Sequence, residues 1–535
     1  MLSILITNSI LKQIILATQV YFILVFLAIG LNEAKSQEST PAVHFSISIP
    51  EPANRIYHVE MNLTRFDQDT LILQMPVWMP GYYQIMNYSD DIRNLSAGDA
   101  SGHDISLHRI NGNTWHINNT GKLPVTISYD ILTKRSFVAN SYVDSTHAYL
   151  VPANSFLYIS GHLNVPVTVS IFPHQAWDKI VTGLELVEGS GHEYLAPDFD
   201  ILYDCPILIG DLEELPAFYI QGIEHRFVGY NIGSFDEQRL MSSLKEAVET
   251  AIGIIGDIPY KNYTFIGIGP GRGGIEHQNN TTISFNGNTL TTEQSWVQML
   301  AFITHEYFHH YNVKRIRPFE LGPFEYEREN RTNQLWVSEG LTVYYEYLIM
   351  RRAGLIDERT LFNFLERHIT AFENDPGRYF QSLQQSSYHT WEEGPFGIPD
   401  TDEDRSISYY DKGPLVGLLL DLSIRKATQN KKSLDDVMRY LYWHFYKTLN
   451  RGFTEAEFQQ TCEHMAGIPL KEIFEYVCTT KDLDYNQYLQ WAGLMVNWHE
   501  VTSDNQMRIR KFMLQRLADP DDLQMTILNS WQGIE

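Results

Sequence analysis

The sequence is poor in cysteine and in positive charge. Its 535 residues contain three cysteines, too few for a disulfide scaffold or for a zinc site built from cysteine ligands. Lys and Arg number 40 against 65 Asp and Glu, which gives a formal net charge of −25. Because such a chain repels phosphate backbones and has no basic run, we expect no nucleic-acid partner. Its 44 % hydrophobic and 20 % charged content is typical of a folded protein and excludes disordered or collagen-like chains.

Long hydrophobic runs are also scarce. The N-terminal apolar stretch 20–31 follows Lys12 and has the length of a signal peptide, short for a membrane span. Ala34 and Ser36 supply the small residues that a signal peptidase reads. We therefore expect residues 1–36 to be a signal peptide and the mature protein to be periplasmic or secreted, with no stable membrane span. An uncleaved signal that anchors the chain in a membrane is the alternative.

Residues 37–205 have the alternating pattern of β-strands. Apolar residues at positions 43, 45, 47 and 49 alternate with polar ones, and the same period of two recurs from Tyr57, from Val125 and from Val165. Alternation places one face of a strand in a core and the other in water. The pattern predicts an N-terminal antiparallel, sandwich-like β-domain.

The pattern becomes helical after about residue 230. Leu240, Leu244 and Val248 lie at helical spacing, and helical patterns then dominate, at 335–352, 360–372, 415–427 and 434–446. Thr454 and Glu457 form a capping box that predicts one more helix. We therefore expect a mainly helical domain over 206–485 in a multidomain α+β chain. The tail 486–535 has weak periodicity and receives no assignment.

The strongest chemical motif is His305-Glu306-x-x-His309. Residues four apart share one face of a helix, so both imidazoles can reach one metal ion. Glu306 is next to the first histidine, where it can take a proton from an activated water. A helix with two incidental histidines is the alternative.

A catalytic zinc site needs a third protein ligand downstream. At the commonest aminopeptidase spacing the sequence has Arg328, in a polar stretch. Glu339 is the better candidate because its neighbours Leu335 to Leu341 are largely apolar, and a carboxylate in such surroundings needs a partner. The alternative is an ordinary glutamate favoured by a helix N-terminus.

These motifs resemble the glycyl aminopeptidase family of gluzincin metallopeptidases. The likeness rests on the third-ligand segment 336–346, on the run 312–318 after the histidines, and on Gly273-Gly274-Ile275-Glu276-His277. It also includes residues 78–81 in the β-domain and 408–414 downstream. Because the motifs occur in one order over about residues 43–495, coincidence is implausible.

The resemblance implies a thermolysin-like catalytic domain behind the β-domain, and zinc-dependent removal of N-terminal residues, usually Gly or Ala, from peptide substrates. It implies one Zn²⁺ per chain and assigns roles residue by residue. These are zinc binding by His305, His309 and Glu339, general base catalysis by Glu306, oxyanion stabilisation by Tyr410, anchoring of the substrate's α-amine by Glu276, and close approach of the substrate backbone at Gly273 and Gly274.

Several alternatives stay open at this stage. The chain could be a gluzincin endopeptidase of another specificity or an inactive peptide-binding relative. Tyr409 could replace Tyr410 as the oxyanion donor. The cations Lys314, Arg315 and Arg317 could form ion pairs or could bind a peptide C-terminus. Family members commonly end in a PDZ domain, which we expect to be absent or degenerate here. The oligomeric state is not determined by the sequence.

Overall fold

A computed structural model describes residues 42–119, 124–134, 136–396, 405–502 and 508–534. The predicted signal peptide, residues 1–36, lies outside the described residues. Within these ranges, no helix is both long enough and apolar enough to span a bilayer.

The N-terminal half is built from three β-sheets. The largest has seven strands, in the order Glu185–Leu186, Glu193–Ala196, Val167–Phe172, Ala42–Ser48, Ile56–Thr64, Val125–Leu132 and Ile92–Asp99. The second has the order Tyr158–Ile159, Thr70–Gln74, Thr114–Asn118 and Leu107–Arg109. The third has the order Lys179–Thr182, Ile207–Gly210, His147–Leu150 and Tyr142–Val143.

The alternating pattern explains these strands. In the first strand Val43, Phe45 and Ile47 are buried while the residues between them are partly exposed, so one face packs into the core. The predicted β-domain is confirmed, with one difference. Its pairs are antiparallel except that Ala42–Ser48 pairs in parallel with Val167–Phe172. Burial alternates in both arrangements, so the pattern alone could not distinguish them.

A further sheet connects this region to the helices. Its order is Glu213–Glu214, Ile223–Tyr230, Asn262–Ile268, Asn280–Ser284 and Gly274–Glu276, with Phe218–Ile220 paired to Ile223–Tyr230. Gly274–Glu276, which we name the edge strand, ends this order and pairs antiparallel with Asn280–Ser284. The sheet therefore presents one free strand edge beside the helices.

The C-terminal half is mainly helical, as predicted. The α-helices in the described residues are Phe199–Tyr203, Glu237–Ile255, Glu293–Phe308, Leu341–Arg352, Glu358–Asn374, Leu383–Tyr388, Thr390–Glu393, Tyr409–Ala427, Leu434–Tyr440, Glu455–Ala466, Lys471–Cys478, Tyr485–Leu489 and Asp522–Gln532. Two π-helical turns are Trp336–Gly340 and Leu441–Thr448. Short 3₁₀ turns are Pro52–Asn54, Tyr88–Asp91, Pro152–Asn154, Gly287–Thr289, Phe319–Leu321, Pro376–Tyr379 and Gln490–Ala492. The predicted capping box at Thr454 and Glu457 is confirmed.

The tail is ordered by packing that its sequence pattern does not reveal. Leu494–Thr502 and Arg508–Arg516 form a two-stranded antiparallel hairpin, and the helix Asp522–Gln532 follows. Trp531 is buried, and its indole N–H donates to the Tyr344 hydroxyl at 2.8 Å. The hairpin is half exposed, so its apolar alternation is weak.

A buried lysine gives the fold a testable pH dependence. Lys412 lies in the helix Tyr409–Ala427 with no exposed surface, and its ammonium donates to the Thr479 carbonyl at 3.4 Å. Burial, together with the nearby Arg378 guanidinium, lowers the pKa of Lys412 to about 8. Between that pH and the ordinary lysine pKa of 10.5, the unfolded chain binds a proton that the folded chain does not. Stability therefore rises with pH across this window.

We expect Lys412→Met to raise the unfolding temperature at pH 7, where the native protein carries the buried charge at a cost of about 3 kcal/mol. The gain over wild type, about 2–5 °C, should narrow as pH rises from 8 to 10. Differential scanning fluorimetry measures it, with the exposed Lys426→Met on the same helix as control. A gain that is constant over this range would contradict the assignment.

Candidate metallopeptidase active site

The helix Glu293–Phe308, which we name the histidine helix, places the predicted motif. Thr292 caps its N-terminus by accepting from the Ser295 N–H at 3.1 Å. Buried Trp296, Leu300 and Ile303 fix its inner face. His305 and Glu306 therefore lie in the last turn, with His309 directly after the helix, at the floor of an interdomain cleft.

Three ligand atoms converge at this floor. His305 Nε2 and His309 Nε2 are 2.9 Å apart, and Glu339 Oε2 lies 3.2 Å from His309 Nε2 and 3.7 Å from His305 Nε2. Ligands bound tetrahedrally to zinc at their usual bond lengths are about 3.3 Å apart, a value that these distances bracket. Sequence reasoning named all three residues, and the structure brings them together.

The protonation of the two imidazoles shows why the cluster fits a cation. His305 Nδ1 lies 2.7 Å from Glu346 Oε2, and His309 Nδ1 lies 2.7 Å from the Asn312 carbonyl oxygen. Because both partners accept, each ring donates its Nδ1–H to them and turns its Nε2 toward Glu339. Although burial alone lowers the pKa of an imidazole, the Glu339 and Glu346 carboxylates raise the pKa of His305, and Glu339 raises the pKa of His309. The cluster therefore attracts a cation, either a proton or a metal ion. The donor set, two imidazoles and one carboxylate, is one that catalytic zinc sites use.

Glu339 is positioned by a π-helical turn and by one amide. The turn Trp336–Gly340 directly precedes the helix Leu341–Arg352. The Asn312 side chain donates to the carbonyl oxygens of Val337 at 2.8 Å and Ser338 at 3.1 Å. Extra residues of this kind inside helices are frequent at functional sites. The widened turn is thus held in place from the segment that follows His309.

Tyr410 is the tyrosine that faces the cluster. Its hydroxyl donates to Glu339 Oε2 at 2.9 Å, whereas the Tyr409 hydroxyl lies 3.1 Å from Thr390 Oγ1. Burial and the Glu339 carboxylate raise the pKa of Tyr410 well above 10, so its phenol stays a protonated donor. The geometry therefore favours Tyr410 over Tyr409 as a donor to a reacting oxygen.

Glu306 lies free of hydrogen bonds beside the cluster. Burial raises the pKa of Glu306 to about 7, although the neighbouring histidines lower it. Its Oε2 has no hydrogen-bond partner among the described residues. A Cβ on Gly274 would lie 2.5 Å from Glu306 Oε1. Only glycine leaves room there for the carboxylate. Gly273 has a φ of +87°, a conformation that glycine adopts without strain.

Glu276 lies at the end of the edge strand, in a recess next to the cleft rather than on the cleft wall. The recess has a volume of about 40 Å³, and Gly81 and Tyr83 line both cavities. Glu276 is buried, and its Oε1 accepts no hydrogen bond from the described residues. A Cβ on Gly81 would lie 2.8 Å from Glu276 Oε2, so the β-domain forms this wall.

The cations of the run 312–318 do not line the cleft. Lys314 Nζ lies 2.8 Å from Asp204 Oδ1 and 3.9 Å from Glu276 Oε1. The Arg315 guanidinium donates to the carbonyl oxygens of Gln278, His310 and Pro259. Lys314 is held by an ion pair and Arg315 by backbone carbonyl groups, so neither offers a ligand in the cleft for a peptide C-terminus. Lys314 and Arg317 line the recess around Glu276 instead.

The cleft itself measures about 930 Å³. Besides the catalytic cluster and the edge strand, its lining includes Phe137, Phe302, Phe364, Phe396, Arg272 and Arg367. Sequence reasoning gave no role to Glu346, Asn312 or these wall residues. A signal for Glu346 exists, because Glu339, Thr342 and Glu346 lie three and four residues apart on one helix face.

Sequence models of a known family match both halves of the chain. The Peptidase M61 N-terminal domain matches residues 44–211, and M61 glycyl aminopeptidase matches residues 298–416. No curated protein is similar enough to count as a match.

Solved structures share the architecture. An aminopeptidase N family protein from Idiomarina loihiensis is 27 % identical with a TM-score of 0.81, over 87 % of this chain and 81 % of that one. A mutant M1 zinc metallopeptidase from Deinococcus radiodurans, bound to a Tyr-Ser-Ala substrate, has 13 % identity and a TM-score of 0.52, over 84 % of this chain and 96 % of that one. The second match shows the fold alone.

The fold and the site define a metallopeptidase, a peptide-bond hydrolase in which a β-domain precedes a mainly helical domain. The chain belongs to the M61 glycyl aminopeptidase family.

The contact between Glu346 and His305 predicts a metal-affinity effect. We expect Glu346→Gln to weaken binding of a divalent metal about 10- to 100-fold, because a neutral amide no longer raises the basicity of the imidazole. Competition with a chelating dye measures the affinity, and Glu358→Gln on the neighbouring helix is the control. Equal affinities in the variant and the wild type would refute the positioning role.

Proposed function

We propose that the protein is a zinc-dependent aminopeptidase that removes small N-terminal residues, Gly or Ala, from peptides. One Zn²⁺ per chain would be held by His305, His309 and Glu339. The observation that carries the proposal is the convergence of two imidazole Nε2 atoms and one carboxylate oxygen beside Glu306, whose buried Oε2 has no hydrogen-bond partner among the described residues. The preference for small residues is supported by membership in a family described as glycyl aminopeptidase.

Each residue of the floor has a role in this reaction. When bound, Zn²⁺ activates water and polarises the scissile carbonyl. Glu306 takes the proton of the attacking water and delivers it to the leaving amine. Tyr410 donates its hydroxyl proton in a hydrogen bond to the oxyanion, which a neutral phenol does without adding charge.

The recess explains why cleavage would start at a free N-terminus. Its volume of about 40 Å³ holds an ammonium group or a few water molecules, but no further residue. Glu276 Oε1 has no hydrogen-bond donor among the described residues, with Lys314 Nζ 3.9 Å away, and a substrate ammonium would supply the missing donor. The chain of the substrate would therefore begin in the recess.

One observation favours the endopeptidase alternative. Glu276 is not among the residues that line the main cleft, so a peptide bound only in the cleft would not touch it. Blocked and free substrates distinguish the two functions, because only an amine anchor discriminates between them.

We expect Glu306→Gln to retain stoichiometric zinc and to lose about 10²- to 10⁴-fold in kcat on Ala-anilide, because the amide cannot accept the water proton. Zinc is measured by atomic emission on the purified protein. The control is Glu293→Gln, which replaces an exposed carboxylate on the same helix. A wild-type protein that binds no zinc would overturn the proposed function and favour an inactive peptide-binding relative.

A second substitution tests the amine anchor. Glu276→Gln should reduce kcat/KM on Gly- and Ala-anilide about 10- to 100-fold through a higher KM, because a charge-assisted hydrogen bond to the ammonium is lost. Glu224→Gln, on an exposed part of the same sheet, is the matched control. Wild-type cleavage of N-acetylated anilides as fast as free ones would favour the endopeptidase.

A further inference from the structure

The edge strand fixes the direction of a bound peptide. Gly274, next to Glu306, marks the reacting end of the strand, and Glu276 in the recess marks the amine end. This inference rests on the proposed function. A peptide whose ammonium reaches Glu276 must run antiparallel to the edge strand, since the strand itself runs toward Glu276. Extended peptides bind free sheet edges in this way.

The spacing of residues along the chain shows where the C-terminus of a bound peptide would lie. The edge strand begins at Gly274, and Arg272 precedes it by two residues across Gly273, which has a positive φ. Since residues in a strand advance by about 3.3 Å, Arg272 lies at most about 13 Å from Glu276 along the backbone. An extended tripeptide spans about 10 Å. Its C-terminal carboxylate would therefore arrive beside Gly273, next to Arg272.

Arg272 has no competing partner. It is exposed, it lines the cleft, and no ion pair or hydrogen bond engages its guanidinium within the described parts of the chain.

Acidic and basic side chains occupy different parts of the cleft wall. Among the described residues, its carboxylates are Glu306 and Glu346 at the catalytic floor, and Asp411, whose Oδ1 lies 2.9 Å from His368 Nδ1. Arg367 is exposed and donates to the Tyr347 hydroxyl at 2.6 Å, with no carboxylate within ion-pair distance among the described residues. The wall beyond the catalytic floor thus offers two guanidinium groups, Arg272 and Arg367.

We propose that Arg272, with Arg367 as a second cation in the cleft, binds the C-terminal carboxylate of a short peptide and makes di- and tripeptides the preferred substrates. Arginine suits this task because its planar guanidinium can donate two parallel hydrogen bonds to a carboxylate. A longer peptide would carry its carboxylate past Arg272 and lose the contact.

The test compares Ala-Phe and Ala-Ala-Phe as free acids and as C-terminal amides. In the wild type we expect KM for the free acids to be at least about 10-fold lower than for the amides. In Arg272→Gln this ratio should fall to within about twofold, and Arg272→Lys should restore part of it. Arg328→Gln, an exposed arginine outside the cleft, should keep the wild-type ratio.

Two further measurements separate the possible outcomes. Calorimetric binding of the same peptides to Glu306→Gln should show the same acid-to-amide ratio without catalysis. The pair Ala-Glu-amide and Ala-Gln-amide tests for an acidic side chain as the source of the carboxylate. A preference for Ala-Glu-amide over Ala-Gln-amide would overturn the proposal. An acid-to-amide ratio of KM that is equal in wild type and Arg272→Gln would overturn it as well. Rapid cleavage of N-acetylated peptides by the wild type would instead overturn the amine anchor.

Discussion

The site depends on one constraint, which is that three potential metal-ligand atoms are held close together in a buried place. Two imidazole nitrogens and a carboxylate oxygen lie within 3.7 Å of one another in a buried site. Such an arrangement exists only where the surroundings hold each group in place. Glu346 and the Asn312 carbonyl fix the two imidazole tautomers, and the Asn312 amide holds the turn that carries Glu339. The same contacts that prevent the groups from turning away prepare them for a cation.

The β-domain takes part in this site as well as preceding it. Asp204, near its C-terminal end, is buried. Although burial alone raises the pKa of a carboxyl, the Lys314 ammonium and His277 hold the pKa of Asp204 at about 2. Lys314 in turn lies 3.9 Å from Glu276, while Gly81 closes the recess from the other side. Separating the domains would therefore open the recess and leave the buried charges of Asp204 and Lys314 without partners.

The sequence predicts those parts of the site that lie close together along the chain. His305 and His309 lie on one side of the helix because of the helical repeat alone, with Glu306 next to the first, and the β-domain follows from the alternation of its apolar residues. The identification of Glu339 needed its apolar neighbours and a family resemblance, because it comes 30 residues after His309. The spacing from Glu339 indicates the helix face on which Glu346 lies, but its contact with His305 depends on how two helices pack, which the spacing does not give. Arg272 has no ion pair or hydrogen bond among the described residues, and Lys314 pairs with Asp204. Both facts are likewise properties of the folded molecule.

The position of Tyr410 shows how such packing is encoded. A Cβ on Gly340 would lie 2.6 Å from the Gly413 Cα, so the π-helical turn and the helix Tyr409–Ala427 touch backbone to backbone. Any larger side chain at either position would separate the two segments and move the phenol away from Glu339. Glycine in a helix interior is unfavourable by roughly 0.5–1 kcal/mol relative to alanine. Gly413 is therefore best explained by the close approach that it permits, which places a donor one hydrogen bond from the metal ligands.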